Sequence, residues 1–123
     1  MYFLKIGINQ ESKKIEPEIV EYNHTEDKLD FFYNRLSCQC IDVVDVGEEL
    51  CLVCDDEGLL NTGNPVMEIQ HDDFVENIKL AGHILMGKNA VTKEGIEIVG
   101  FNTEGELLKA TREFRFGVYG VVK

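Results

Sequence analysis

Residues 39–55 read QCIDVVDVGEELCLVCD, and this stretch decides the fold. Two runs rich in β-branched and apolar residues, Gln39–Val46 and Leu50–Asp55, flank Gly47. Two such runs around a short segment that contains glycine are typical of a β-hairpin. The sequence therefore predicts two antiparallel strands near the centre of the chain.

The hairpin also predicts one buried face. A tight turn would place Ile41 and Val43 of the first strand against Leu50 and Leu52 of the second. We expect this face to pack on an amphipathic helix at about residues 25–36. The apolar residues of that segment recur at helical spacing; they are Leu29, Phe32, Tyr33 and Leu36.

The rest of the chain alternates apolar runs with polar turns. A short helix capped by Asp72 or Asp73 is expected to run through Ile78. Because short turns between strands leave no room for βαβ crossovers, the predicted fold class is α+β. A mostly antiparallel sheet with one or two helices would form a single domain over residues 1–123. The remaining strands are expected at residues 2–8, 15–22, 80–86, 96–101 and 113–122.

Charge limits the partners of this chain of 123 residues. Its 12 Lys and Arg oppose 23 Asp and Glu, which gives a formal net charge of −11. Binding to nucleic acid or to an anionic membrane needs clustered cations, so neither is expected. Residues 1–61 hold 5 of the basic and 14 of the acidic residues, whereas residues 62–123 hold 7 and 9. A small phosphorylated ligand bound by the second half remains compatible with this distribution.

The four cysteines are Cys38, Cys40, Cys51 and Cys54. The N-terminal residues lack the pattern of a signal peptide, so a cytoplasmic protein with reduced thiols is expected. A C-x-C pair followed by C-x-x-C could also bind zinc. Strand alternation would turn Cys51 and Cys54 to opposite faces, which disfavours a tetrahedral site. We therefore expect neither a metal nor a cofactor.

Catalytic motifs are missing from the sequence. It contains no G-x-S-x-G, no phosphate-binding Gly-rich loop and no H-E-x-x-H. His83 lies among apolar residues and is interpreted as a hydrogen-bonded core histidine, and His71-Asp72-Asp73 as a turn or helix cap. The sequence favours a protein that is not an enzyme, and an enzyme that depends on cysteine or metal remains an alternative.

Residues 111–116, TREFRF, form the strongest candidate for anion binding. Arginine forks match phosphate geometry, and phenylalanine can stack on a base. On a regular strand, Arg112, Phe114 and Phe116 would share one face and Arg115 would take the other. Alternatively, the phenylalanines belong to the core and the arginines pair with surface carboxylates.

An acidic run surrounds the central hairpin. It could imitate the phosphates of DNA and bind a basic protein, or it could simply solvate the hairpin. The two interpretations remain open at this point. The run consists of Asp42, Asp45, Glu48, Glu49, Asp55, Asp56 and Glu57.

Three segments carry a family resemblance: residues 40–44 (CIDVV), residues 50–60 (LCLVCDDEGLL) with Asn64, and residues 81–85 (AGHIL). They resemble a family of small phage and mobile-element proteins that is known only as a domain of unknown function. The resemblance covers about residues 29–89. In size and layout the chain also resembles the Thoeris anti-defence sponges, small α+β oligomers that sequester a cyclic ADP-ribose signal without cleaving it.

This resemblance implies a phage anti-defence protein that sequesters a cyclic ADP-ribose-type nucleotide. It also implies a homo-oligomer, and the net charge of −11 disfavours direct binding to nucleic acid or to a membrane. The alternative is an acidic inhibitor that blocks a basic host defence nuclease. The residues that we expect to bind the nucleotide are Arg112, Arg115, Phe114, Phe116, Asn64 and Asn89.

Overall fold

Antiparallel strands and two α-helices build the fold in a computed structural model, which describes residues 1–9, 11–47 and 49–123. Within these residues the helices are α1 (Lys28–Leu36) and α2 (Glu104–Thr111). A single 3-10 turn covers Gly58–Leu60. The strands are β1 (Tyr2–Ile8), β2 (Ile15–Glu21), β3 (Ile41–Asp45), β4 (Leu50–Asp55), β5 (Pro65–Gln70), β6 (Ile78–Ala81), β7 (Ile84–Thr92), β8 (Gly95–Val99) and β9 (Arg115–Val121).

The strands form two sheets. The larger sheet has the order β2-β1-β7-β4-β3, with β8 paired to the far half of β7. The smaller sheet has the order β6-β5-β9. Every pairing is antiparallel. Strands account for 47% of the structure and helices, with the 3-10 turn included, for 17%, so the fold is sheet-rich rather than a balanced α+β arrangement.

The two faces of the larger sheet bury two separate cores, because successive side chains of a strand point to opposite faces. One face packs against the smaller sheet and α2, and we call this the inner core. The other face packs against α1, and we call this the α1 core. The fully buried members of the inner core include Ile6, Leu52, Met67, Ile69, Ile84, Met86, Phe101 and Leu107. The α1 core contains Phe3, Val20, Tyr22, Phe31, Phe32, Leu36, Val53 and Leu85.

Helix α1 confirms the predicted helix but begins later than expected. Asp27 caps it by accepting a hydrogen bond from the backbone N–H of Asp30 at 3.0 Å. The helix ends at Leu36 and is capped by Ser37, which takes a left-handed conformation (φ 53°). Neither helix of the described residues is long and apolar enough to cross a membrane.

Helix α2 was not predicted, and the expected helix near residue 78 was wrong. The hydroxyl of Thr103 caps α2 by accepting from the N–H of Glu106 at 3.0 Å. The segment capped by Asp72 or Asp73 is a loop that leads into β6. Because α2 continues to Thr111 and is closed by Arg112, the last strand begins at Arg115 rather than at residue 113.

The register of the central hairpin also differs from the prediction. Val43 lies opposite Val53, and Val44 lies opposite Leu52. The hairpin is closed by a hydrogen bond from Val46 N–H to the carbonyl of Leu50 at 2.9 Å. As a result Leu52 faces the inner core rather than α1, whereas Ile41 packs on the α1 core.

Gly87 tests the packing at the centre of the sheet. A Cβ on Gly87 would lie 2.7 Å from the Phe3 ring and 2.9 Å from the carbonyl oxygen of Val99. We expect Gly87→Ala to lower the free energy of unfolding by about 1–3 kcal/mol, because the core has no free volume there. Urea unfolding would measure this change. Gly105→Ala is the matched control, since nothing lies within 4 Å of its added Cβ and helical alanine is favoured by up to about 1 kcal/mol. Equal stability of the two variants would contradict the close packing of Phe3 and Val99 around Gly87.

Candidate functional site

The structure does not bring the six predicted ligand-binding residues together. The two arginines are both exposed but belong to different elements, since Arg112 closes α2 and Arg115 begins β9. They therefore do not lie on the two faces of one strand, as the sequence predicted. Arg115 donates to Asp72 with its Nη2 at 3.0 Å from Oδ1.

The two phenylalanines of this segment pack inward. Phe114 is only 9% exposed and belongs to the inner core. Its ring centroid lies 4.6 Å from that of His71 and 6.0 Å from that of Phe74. Phe116 packs against the same core from β9. Phe114 therefore offers a base little exposed area for stacking.

The two asparagines hold loops in place. The side-chain amide of Asn64 donates to the carbonyl of Gly58 at 2.9 Å and fixes the 3-10 turn. The side-chain amide of Asn89 donates to Asp45 at 2.8 Å and ties β7 to the central hairpin. These bonds give both residues a structural role and leave their side-chain carbonyl oxygens without a described donor.

Arg112 lies in a groove that sequence reasoning did not identify. This groove, which we call the α2 groove, runs between α2 and the start of β4 and has a volume of about 460 Å³. Lys88 from β7 and Lys109 from α2 converge on it with Arg112. Its lining consists of Glu49, Leu50, Lys88, Phe101, Glu106, Lys109, Ala110, Arg112 and Glu113.

The three cations of the α2 groove differ in whether they are paired with a carboxylate. Lys88 pairs with Glu106 (Nζ to Oε1, 3.0 Å) and lies 5.6 Å from the centroid of the Phe101 ring. Among the described residues, Lys109 and Arg112 make no ion pair. Glu113, one of the carboxylates that line the groove, has its Oε2 3.7 Å from Nε2 of His71. Two cations are therefore available to an anionic ligand.

A second site surrounds His83, at the turn between β6 and β7. Its Nδ1 is buried and, within the described residues, has no hydrogen-bond partner, which differs from the expected satisfied core histidine. The ring packs so closely on Gly7 that a Cβ there would overlap it. Burial, followed by the charge of Lys5, lowers the pKa of His83 below its usual value. A groove of about 530 Å³ lined by Lys5 lies on one side of the ring, and a smaller cavity of about 170 Å³ lined by Asn64 lies on another.

All four cysteines are free thiols. Burial is the main cause that raises the pKa of Cys51 and that of Cys54 to about 11, with Asp45 and Asp42 respectively as the next contributor. Burial also raises the pKa of Cys38. No group of three or more metal-ligating side chains occurs in the described part of the chain. Cys51 and Cys54 are thus protonated at neutral pH and are poor nucleophiles.

The acidic run lies on the surface around the central hairpin. Asp42, Asp45, Glu49, Asp56 and Glu57 are exposed, and none of them makes an ion pair with a described cation. Asp55 is partly buried and accepts from the backbone N–H of Glu57 at 2.9 Å. Glu48, which also belongs to the predicted run, lies outside the described residues.

Comparison with known families matches residues 5–109 to the family described as Domain of unknown function (DUF3846). The chain belongs to this family. The match extends from β1 into α2 and ends before Arg112. Asn64 and Asn89 therefore lie within the DUF3846 domain, and the four predicted ligand-binding residues of the TREFRF segment lie beyond it. No curated protein and no solved structure shows significant similarity to the chain.

The half-buried ring of His83, with its buried Nδ1, predicts a pH dependence. Its pKa is lower in the folded protein than the usual value near 6.5 in the unfolded chain. The unfolded chain therefore binds a proton first, and stability is lost as the pH falls below about 6.5. We expect His83→Phe to be at least as stable as wild type at pH 7 and to lose less stability between pH 7 and 5.

Urea unfolding at each pH measures the effect, with His24→Phe as the control at an exposed histidine. A variant at position 83 whose stability follows the same pH curve as wild type would contradict a buried neutral imidazole.

Proposed function

We propose that this protein binds and sequesters a small phosphorylated ligand in the α2 groove without converting it. One observation carries the proposal: Lys109 and Arg112, neither paired with a described carboxylate, converge with Lys88 on one groove. Its volume of about 460 Å³ falls within the range of about 300–1,000 Å³ that small-molecule sites occupy. The ligand class we favour is a cyclic ADP-ribose-type nucleotide.

The groove offers both kinds of contact that a nucleotide needs. The guanidinium of Arg112 can bind two phosphate oxygens at once, and Lys109 adds a second charge from the previous turn of α2. Leu50 and Ala110 supply an apolar wall, since both pack against the inner core. This division between an ionic and an apolar side suits a ligand with a diphosphate and a base.

Sequestration fits the chemistry of the described residues better than catalysis does. The raised pKa values of Cys51 and Cys54 keep these thiols protonated. The ring of His83 is packed against Gly7, on a different part of the sheet from the α2 groove. A phage-encoded protein of this kind would act against host defence by lowering the free concentration of a signal nucleotide.

A second candidate function is an acidic inhibitor of a basic host nuclease. The exposed carboxylates of the central hairpin favour it, because they make no ion pair with the described cations. Attraction between such a surface and a basic protein would weaken steeply with salt.

Replacement of Arg112 and Lys109 tests the proposed nucleotide site. We expect isothermal titration of the wild-type protein with cyclic ADP-ribose to give saturable binding. Arg112→Gln with Lys109→Gln should weaken this binding at least tenfold, because both phosphate-binding charges are lost. Ligand released from the denatured complex should be chemically intact.

The matched control is Arg115→Gln, which removes another exposed arginine, one that pairs with Asp72 outside the groove. It should bind as wild type does. The proposal is overturned if wild type gives no heat with cyclic ADP-ribose, or if the groove variant binds as tightly as the control.

A further inference from the structure

The hairpin of β7 and β8 extends past the rest of the larger sheet. The pairing of β4 with β7 ends at Lys88, and the last bond between them runs from Asn89 N–H to the carbonyl of Glu49 at 2.8 Å. Within the described residues, residues 90–92 of β7 pair only with β8. On the side of β4, the backbone of these residues has no strand partner in the described part of the chain and forms a sheet edge.

Two large apolar side chains are exposed on this extension. Val91 and Ile96 lie directly opposite each other in the pairing of β7 with β8 and are 88% and 75% exposed. Ile98, two residues along the same face, packs on the α1 core. The apolar row of the α1 core thus continues onto the hairpin, beyond the end of the helix that covers it.

Carboxylates border this apolar pair. Val91 and Ile96 line a groove of about 640 Å³ together with Asp45 and Glu49 of the central hairpin. Lys88 also lines this groove, but its charge is engaged by Glu106. The exposed surface that remains is an apolar pair with an acidic rim.

We propose that this groove docks a basic protein segment that carries apolar side chains between its cations. An apolar anchor enclosed by charged contacts is the usual arrangement of an energetic hot spot, and the open edge of β7 allows an extended segment to add backbone hydrogen bonds. A second copy of the chain fits less well, because each copy carries a net charge of −11. The two grooves share Glu49 and Lys88 at their border, whereas Val91, Ile96 and Asp45 line only this one. The inference adds an apolar anchor to the acidic surface.

Synthetic peptides test both parts of this surface. The probe is a fluorescent decapeptide of alternating lysine and leucine, compared with a lysine–serine and a glutamate–leucine peptide by anisotropy. We expect the lysine–leucine peptide to bind at least tenfold more tightly than either of the others, and to bind more weakly at high salt. The double variant Val91→Thr with Ile96→Thr should reduce its affinity at least tenfold while retaining the β-branched shape that strands favour.

The matched control is Val118→Thr with Val121→Thr, which changes two apolar residues of β9 that are 48% and 53% exposed. This control and Arg112→Gln should both bind the peptide as wild type does. Equal binding of the lysine–serine peptide would show that charge alone acts and would overturn the proposal, as would undetectable binding or an unchanged affinity of the Val91 and Ile96 variant. A wild-type dimer in native mass spectrometry that this variant abolishes would assign the groove to a second copy instead.

Discussion

The burial of β7 on both faces is the constraint on which the rest of the structure depends. Strands β1 and β4 pair with its first half on either side, while Leu85 faces the α1 core and Met86 faces the inner core. Both cores therefore share one strand, and an error in its register would exchange the side chains of the two cores. The exposed β7–β8 hairpin begins where this double burial ends.

Local patterns predicted the elements whose signals were periodic. The hairpin of β3 and β4 and the helix α1 followed from strand alternation and from helical spacing of Phe32 and Leu36. Helix α2 was missed because residues 102–105, NTEG, are typical of a turn, although Thr103 and Glu106 carry the spacing of a capping box. The register of the hairpin could not be predicted, because it depends on how the turn closes at Val46.

The arrangement of the candidate site was even harder to predict from local sequence patterns than the fold was. The residues of the TREFRF segment were expected to share one strand, but α2 ends within the segment and separates Arg112 from Arg115. Lys88 joins Arg112 in the α2 groove only because the fold brings Lys88 of β7 within reach of α2. A contact between elements this far apart in the sequence cannot be predicted from a local pattern. The lack of a described hydrogen-bond partner for Nδ1 of His83 is also a result of tertiary packing, because the ring lies against Gly7.

Native-state hydrogen exchange on the full chain tests the central role of β7 most directly. The amides of Leu85 and Met86 should exchange only through global unfolding, since both neighbouring strands and both cores must separate to expose them. The amides of residues 90–92 should exchange through local opening, with a clearly smaller free energy. Equal protection of the two groups, or faster exchange at Leu85 and Met86, would contradict a fold that is organised around β7.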